Sequence, residues 1–173
     1  MRDSFTPDVI YGNDRETYLL SFFPGTLVRV PGGIVEDFVT DVGDKVELKS
    51  ERWFSTATKN MCIEVYSDYH RGRTLGGPLR SKAHGIKYYL HFFGDDLLIV
   101  FRTEKLVDLI EKSLPEKSVD HNKHFPSAGW WSWNDNYRNG NKWTTLNWIV
   151  PIDFVIAHAE SNAYLRMGMD YRH

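Results

Sequence analysis

Three features of the chain predict an α+β domain in which a mixed central β-sheet is flanked by helices. Short apolar runs with strand character recur between Val35 and Arg102, helical patterns stand before and after them, and Gly-containing segments punctuate the runs. A length of 173 residues suits one domain with a sizeable core, and neither an internal repeat nor a strong boundary divides it.

The elements follow in order. Asn13 or Asp14 is placed to cap a helix through Arg15–Phe23, with Leu19, Leu20, Phe22 and Phe23 as its core stripe and Pro24-Gly25 as its stop. An extended piece, Thr26 to Val30, leads to the stretch Val35–Arg52, which reads as two strands joined by a tight turn at Gly43. Alternation puts Val35, Asp37, Val39 and Asp41 on one face of the first strand, and so sets Asp37 among apolar neighbours. Ser50–Asn60, with Trp53 and Phe54, reads as a loop, and Met61–Tyr66 as a largely buried strand. A glycine-rich basic loop, Tyr69–Pro78, precedes a short helical turn at Leu79–His84. Two apolar strands, Ile86–Phe93 and Leu97–Arg102, flank the hairpin signal Gly94-Asp95-Asp96. Thr103 is placed to cap an amphipathic helix, Glu104–Leu114, before Pro115. The segment at about 116–143 reads as an irregular Trp-rich loop, Thr144–His158 as a strand and a short helix, and Arg166–His173 as a frayed tail.

Composition narrows the function classes. The 21 Lys+Arg against 23 Asp+Glu give a net charge of −2, which argues against a non-specific nucleic-acid binder but leaves room for a local basic track. One cysteine, Cys62, excludes an internal disulfide framework; its apolar strand makes it a buried structural thiol rather than a nucleophile. No apolar leader or membrane-length run is present, so a soluble, cytoplasmic protein without a membrane partner is expected. The seven histidines do not pair with Cys62 at zinc-site spacing, and His121 with His124 is a weak metal candidate.

The chemistry concentrates in Val35–Arg52. In a strand, residues two apart share a face, so Glu47 and Lys49 project together while Leu48 points into the core. If Asp37 comes to the same edge, two carboxylates able to hold Mg²⁺ lie next to a lysine able to steer a water. Asp41 shares the face of Asp37 and competes with it, whereas Asp44 suits the turn. Glu64, mid-strand, is a further candidate. Arg71, Arg73, Arg80 and Lys82 could neutralise a nucleic-acid backbone beside the site. Trp130, Trp131, Trp133, Tyr137 and Trp143 could stack bases, or pack a loop onto the core, or form an interface. The plain alternative for Glu47 and Lys49 is a solvated strand face carrying a cross-strand ion pair.

The order of these elements carries a resemblance. A helix with an acid, Glu16, is followed by a strand with Asp37-Phe38, a hairpin, a strand with Glu47-Leu48-Lys49, a further strand and a second helix. In this it resembles the PD-(D/E)xK nuclease superfamily over about Asp14–Leu114. Lys59-Asn60-Met61-Cys62-Ile63-Glu64, Gly76-Gly77-Pro78, Ser81-Lys82-Ala83 and Tyr88-Tyr89 are similar to small phage-encoded members. One departure is Glu36, which stands before Asp37 where the family pattern has Pro. The resemblance implies a restriction-endonuclease-like fold and metal-dependent hydrolysis of DNA phosphodiester bonds, in the host cytoplasm if the protein is phage-encoded. It implies that Asp37, Glu47 and the Leu48 carbonyl hold Mg²⁺ or Mn²⁺, that Lys49 orients water or stabilises charge, and that Glu16 is an additional site acid. Homodimers, which cut two strands, are common in such enzymes. A nuclease-fold protein that has lost cleavage and serves as a DNA-binding or protein-interaction module is the alternative. Convergence of Asp37 and Glu47 is what separates the two.

Overall fold

A computed structural model describes residues 6–32, 36–51, 58–93, 97–114, 126–138, 140–159 and 163–166. The chain opens with helix α1 (Thr6–Phe22), which begins well before the expected cap at Asn13 or Asp14. Asn13 lies inside it: its carbonyl accepts the Thr17 hydroxyl at 3.0 Å and its amide oxygen accepts from Arg29 at 3.1 Å. Its side chain is drawn to another element instead of competing for local backbone N–H groups, so the helix runs through.

Three strands then form an antiparallel meander: β1 (Leu27–Arg29), β2 (Phe38–Thr40) and β3 (Lys45–Glu51). The expected hairpin is present, closed by Thr40 N–H to the Asp44 carbonyl at 2.8 Å, with Gly43 at φ 83°, a conformation that favours glycine. The first of its strands is shorter than alternation predicted. Phe38 is the residue it buries, against Val46, while Asp37 stands at its entrance rather than on an apolar face.

Strand β4 (Asn60–Asp68) and the short β5 (Thr74–Leu75) leave this sheet, and helix α2 (Gly77–Ala83) returns the chain to it. The return delivers β6 (Tyr88–Phe93) parallel to β3, from Val46↔Tyr88 to Glu51↔Phe93. A parallel pair needs such a crossover, because a tight turn can only join antiparallel strands. Strand β7 (Leu97–Arg102) runs antiparallel beside β6 and passes directly into helix α3 (Thr103–Ser113). Thr103 is therefore the first helical residue and Arg102 the cap position, so the expected Thr103 cap is not made.

The segment expected as a Trp-rich loop is strand over much of its described part. Strand β8 (Trp130–Arg138) pairs residue for residue with β9 (Asn141–Pro151), after which helix α4 (Ile152–His158) and strand β10 (Ala163–Arg166) follow. Trp131 is buried, and the Trp148 indole N–H donates to the Ala128 carbonyl at 2.6 Å, so these rings hold the hairpin to the core. Gly140, at φ 77°, leads into β9. The expectations for Trp53 and Phe54, Gly94–Asp96, His121 with His124, and the tail after Arg166 lie outside the described residues.

The result is mixed α+β with two sheets where one was expected. The larger is mixed, in the order β1-β2-β3-β6-β7-β10; the smaller is antiparallel, β5-β4-β9-β8. On one face of the larger sheet α1 buries Leu19 against Phe38, Val46, Leu48, Leu90 and Phe92. On the other, Tyr89, Phe93, Ile99 and Phe101 join a second core with β4, β9 and the apolar sides of α3 and α4. Both faces are covered, and burial of these aliphatic and aromatic side chains is the main stabilising term. Among the described residues no helix is long and apolar enough to cross a membrane.

Candidate active site

The site begins with the way Asp37 enters β2. Its own N–H donates to the Val46 carbonyl at 2.9 Å while its carbonyl accepts from Val30 at 2.9 Å. The chain turns there, and the side chain does the work of the strand that has ended: Asp37 Oδ2 accepts the Leu48 N–H at 2.7 Å. Val46 and Leu48, two apart, direct their backbone groups to the same edge of β3. Since N–H and C=O of one strand residue leave on the same side, the Leu48 carbonyl faces the edge where Asp37 lies.

Glu47 and Lys49 project from the face opposite to Leu48, and there they form an ion pair. This face is not the solvated one of the plain alternative. Glu47 is only 3% exposed, because the second core covers it, while the Lys49 side chain is 41% exposed. Burial pushes the Glu47 carboxyl above the ordinary value of 4.5, Lys49 opposes the shift, and Asp37 adds to it. Asp37 and Glu47 thus repel one another across the end of β2, the electrostatic condition under which a cation is welcome.

Beside Lys49 lies a cleft of about 360 Å³ between the two sheets. Its walls are Lys49, Ser50 and Glu51 from β3, Tyr89 and His91 from β6, Glu64 from β4, Asn147 from β9 and Arg80 from α2. A register shift in β4 between Glu64 and Tyr66 re-aims the strand at this point. Gly76 makes room for Glu64: a Cβ there would stand 2.7 Å from Glu64 Cγ. The Tyr89 hydroxyl is pushed far up by burial first and then by Glu47, Glu64 and Glu51, so three carboxylates surround one ring.

The expected site residues separate into two groups. Asp37 is bonded to Leu48, Glu47 is paired with Lys49, and Lys49, Glu64 and Arg80 line the cleft; Asp37 and Arg80 are among the charges acting on Glu47. Glu16 instead pairs with Arg29 at the first strand, and it is not among the charges acting on Glu47. Asp41 is exposed in the turn, and Asp44 holds Lys87 at 2.6 Å. Lys82 faces Asp108 and Glu111 at 3.9 and 3.7 Å. Arg73 lies over the Tyr69 ring and Arg71 donates its N–H to Asp68 at 3.1 Å, so the basic track divides and Arg80 alone of its four members lines the cleft. Of the candidate stacking rings, Trp130 and Tyr137 are exposed and Trp131 is buried.

Cys62 is exposed rather than buried as expected. It lies at the wall of the cleft, and shielding there, with the charges of Glu51 and Glu64, pushes its thiol up to about 11; it is a poor nucleophile, as expected. Sequence reasoning missed Glu51, His91 and Asn147. The first two carried a signal: Glu51 continues the two-residue alternation of Glu47 and Lys49, and His91 alternates with Tyr89. Asn147 carried none, because its place depends on the pairing of β4 with β9.

The residues fit a hard divalent ion. Among the described residues no three His, Cys, Asp or Glu side chains group closely enough to hold one alone. Mg²⁺ does not require such a cage: it is usually held by one or two carboxylates, with waters and substrate phosphate completing the shell. Asp37, Glu47 and the Leu48 carbonyl offer oxygen donors only, the kind such an ion prefers, and the raised Glu47 carboxyl is the group a cation would relieve. No protein-family model and no curated protein matches this chain.

Proposed function

We propose that this protein is a metal-dependent deoxyribonuclease of the PD-(D/E)xK type, with a restriction-endonuclease-like fold. The observation that carries the reading is the 2.7 Å bond from Leu48 N–H to Asp37 Oδ2, which ties the lone aspartate to the strand bearing Glu47 and Lys49. The element order supports it: α1, the strand entered by Asp37, the hairpin, the Glu-x-Lys strand, β4 and α2 follow in the expected sequence.

Asp37, Glu47 and the Leu48 carbonyl would hold Mg²⁺ or Mn²⁺. When bound, such an ion polarises the scissile phosphate and makes a water more acidic. Lys49, half-exposed at the mouth of the cleft, orients the attacking water and stabilises negative charge developing on the phosphate. Arg80 binds a phosphate oxygen from the α2 side. The buried Glu47 keeps Lys49 in place through their ion pair.

The test is incubation with single-stranded, linear duplex and branched DNA in Mg²⁺ or Mn²⁺, wild type against Lys49→Ala. The variant is expected to lose about 100-fold or more of the cleavage rate, the scale on which loss of a transition-state donor acts. Equal cutting by both proteins would overturn the assignment. DNA binding without cleavage by wild type would favour the non-cutting module.

A further inference from the structure

One face of the smaller sheet leads out of the cleft beside Lys49. Cys62 and Glu64, two apart on β4, both line the cleft, and they lie before the register shift that follows Glu64. The ladder continues each of them across two strands on the same face: Cys62 to Ile149 to Trp130, and Glu64 to Asn147 to Ser132. Two strand spacings put β8 about 10 Å from the cleft wall on β4. Past Glu64 this face carries Asn, Ser, Thr, Ile and Trp, with no charge from Trp130 to Asn136 on β8 or from Trp143 to Ile149 on β9. Asn147 donates to Thr145 Oγ1 at 3.3 Å, and an amide with two donor hydrogens and an acceptor oxygen has capacity beyond that bond. Trp130, at the end of the apolar row, is 53% exposed, and its mount is rigid. The preceding Gly129 is pressed against β9, and Ala128 accepts the Trp148 indole N–H. A single exposed ring is ordinary on a protein surface. A fixed ring that shares an uncharged face with the cleft wall is placed to receive a flat group from a ligand held in the cleft.

We infer that this face holds unpaired bases next to the scissile phosphate, with Trp130 stacked on one of them, so that the substrate is DNA with a single-stranded segment at the cut; the inference rests on the nuclease reading. The division of labour follows from charge. Lys49 and Arg80 line the cleft and suit the phosphates, whereas a face without cations gives a phosphodiester backbone nothing to pair with. What the face offers is a ring for stacking, with Ile149 beside it, and Asn and Ser groups that donate and accept. These complement the faces and the edges of bases. In a duplex each base face is covered by the neighbouring pair, and the pairing edge is taken by the other strand. Only an unpaired base presents both, so the face selects single strands. Tyr137 supplies the contrast: it is 70% exposed on the same strand, but seven residues from Trp130 it stands on the opposite face.

The test measures fluorescence anisotropy of labelled single-stranded DNA and of a blunt duplex of the same sequence, with the full chain and with Ca²⁺ in place of Mg²⁺. Wild type is expected to bind the single strand about 10-fold or more tightly than the duplex. Trp130→Ala and Trp130→Leu should each lose about 5- to 100-fold on the single strand and less than about twofold on the duplex. Trp130→Phe should stay within about threefold of wild type, and Tyr137→Ala should be unchanged. The dependence of affinity on salt should keep its slope, since no phosphate contact is removed. Melting curves check folding, and the Leu and Phe variants carry the test if Trp130→Ala is not folded. Full binding by Trp130→Leu would show a packing role and overturn the inference, as would equal loss on both DNAs, no loss on either, or a wild-type preference for the duplex. Cutting in Mg²⁺ tests the nuclease reading separately. Cutting that Lys49→Ala abolishes, with binding indifferent to Trp130, overturns this inference alone; no cutting of either DNA by wild type overturns the nuclease reading, and the substrate assignment with it.

Discussion

Asp37 has two tasks that substitution can separate. Its Oδ2 accepts a backbone N–H, which an amide oxygen can also do, and its charge faces Glu47, which an amide cannot supply. Asp37→Asn is therefore expected to keep the melting temperature within about 1 °C and abolish cleavage. Asp37→Ala leaves the Leu48 N–H without its acceptor and should cost about 1 kcal/mol, the lower end for a half-buried group. That is about 2–4 °C in a chain of this size. Glu47 is the reverse case, a group the fold makes uncomfortable. Its carboxyl is raised by burial, so the folded state holds the proton more tightly than the unfolded state. Its contribution to stability is complete below the ordinary value of 4.5 and is lost as pH climbs through the raised folded value. In metal-free buffer Glu47→Gln should flatten that decline, seen as a smaller fall in melting temperature from acid to neutral pH than in wild type. A decline equally steep in the variant would assign it to other groups.

At the scale of elements, the site depends on where strands stop. Strand β2 ends before it can cover Leu48, and Asp37 fills the place of the missing pairing; a longer β2 would satisfy Leu48 with backbone and leave no aspartate there. The β8–β9 hairpin forms the outer side of the smaller sheet, and its entry has one demanding position. Gly129, at φ 70°, passes so close to β9 that a Cβ would stand 1.9 Å from the Ile149 carbonyl oxygen. Backbone cannot move aside as a side chain can, so Gly129→Ala should destabilise by about 3 kcal/mol or more. Gly140, also at positive φ but facing open space, should tolerate Ala at about 1–2 kcal/mol. Urea denaturation of the two variants measures the difference, and equal midpoints would contradict the close approach.

For the whole molecule, α1 covers one face of the larger sheet and the smaller sheet covers the other, and the proposed ion site would tie ion binding to the stability of this folded arrangement. An ion that binds only the folded state adds about 2.7 kcal/mol at a hundred times its dissociation constant. Scaled to this chain length, that is a rise of about 5–10 °C in melting temperature with Mg²⁺ or Mn²⁺. Asp37→Asn and Glu47→Gln should each remove most of the rise. An unchanged melting temperature in wild type across the Mg²⁺ range would refute the assigned ligands.

Much of this was legible in the chain. The meander around Gly43, the buried β4 and the amphipathic α3 followed from local pattern, and the pairing of Glu47 with Lys49 followed from a period of two. These are properties of neighbours in sequence. The second sheet was not legible, because tryptophans interleaved with Asn and Ser have no clear period until β9 lies beside them. The burial of Glu47, the diversion of Glu16 to Arg29, and the meeting of Glu51, His91 and Glu64 in one cleft were likewise decided by tertiary structure. A strand's alternation tells which side chains share a face; only packing decides whether that face meets water, a second core or a substrate.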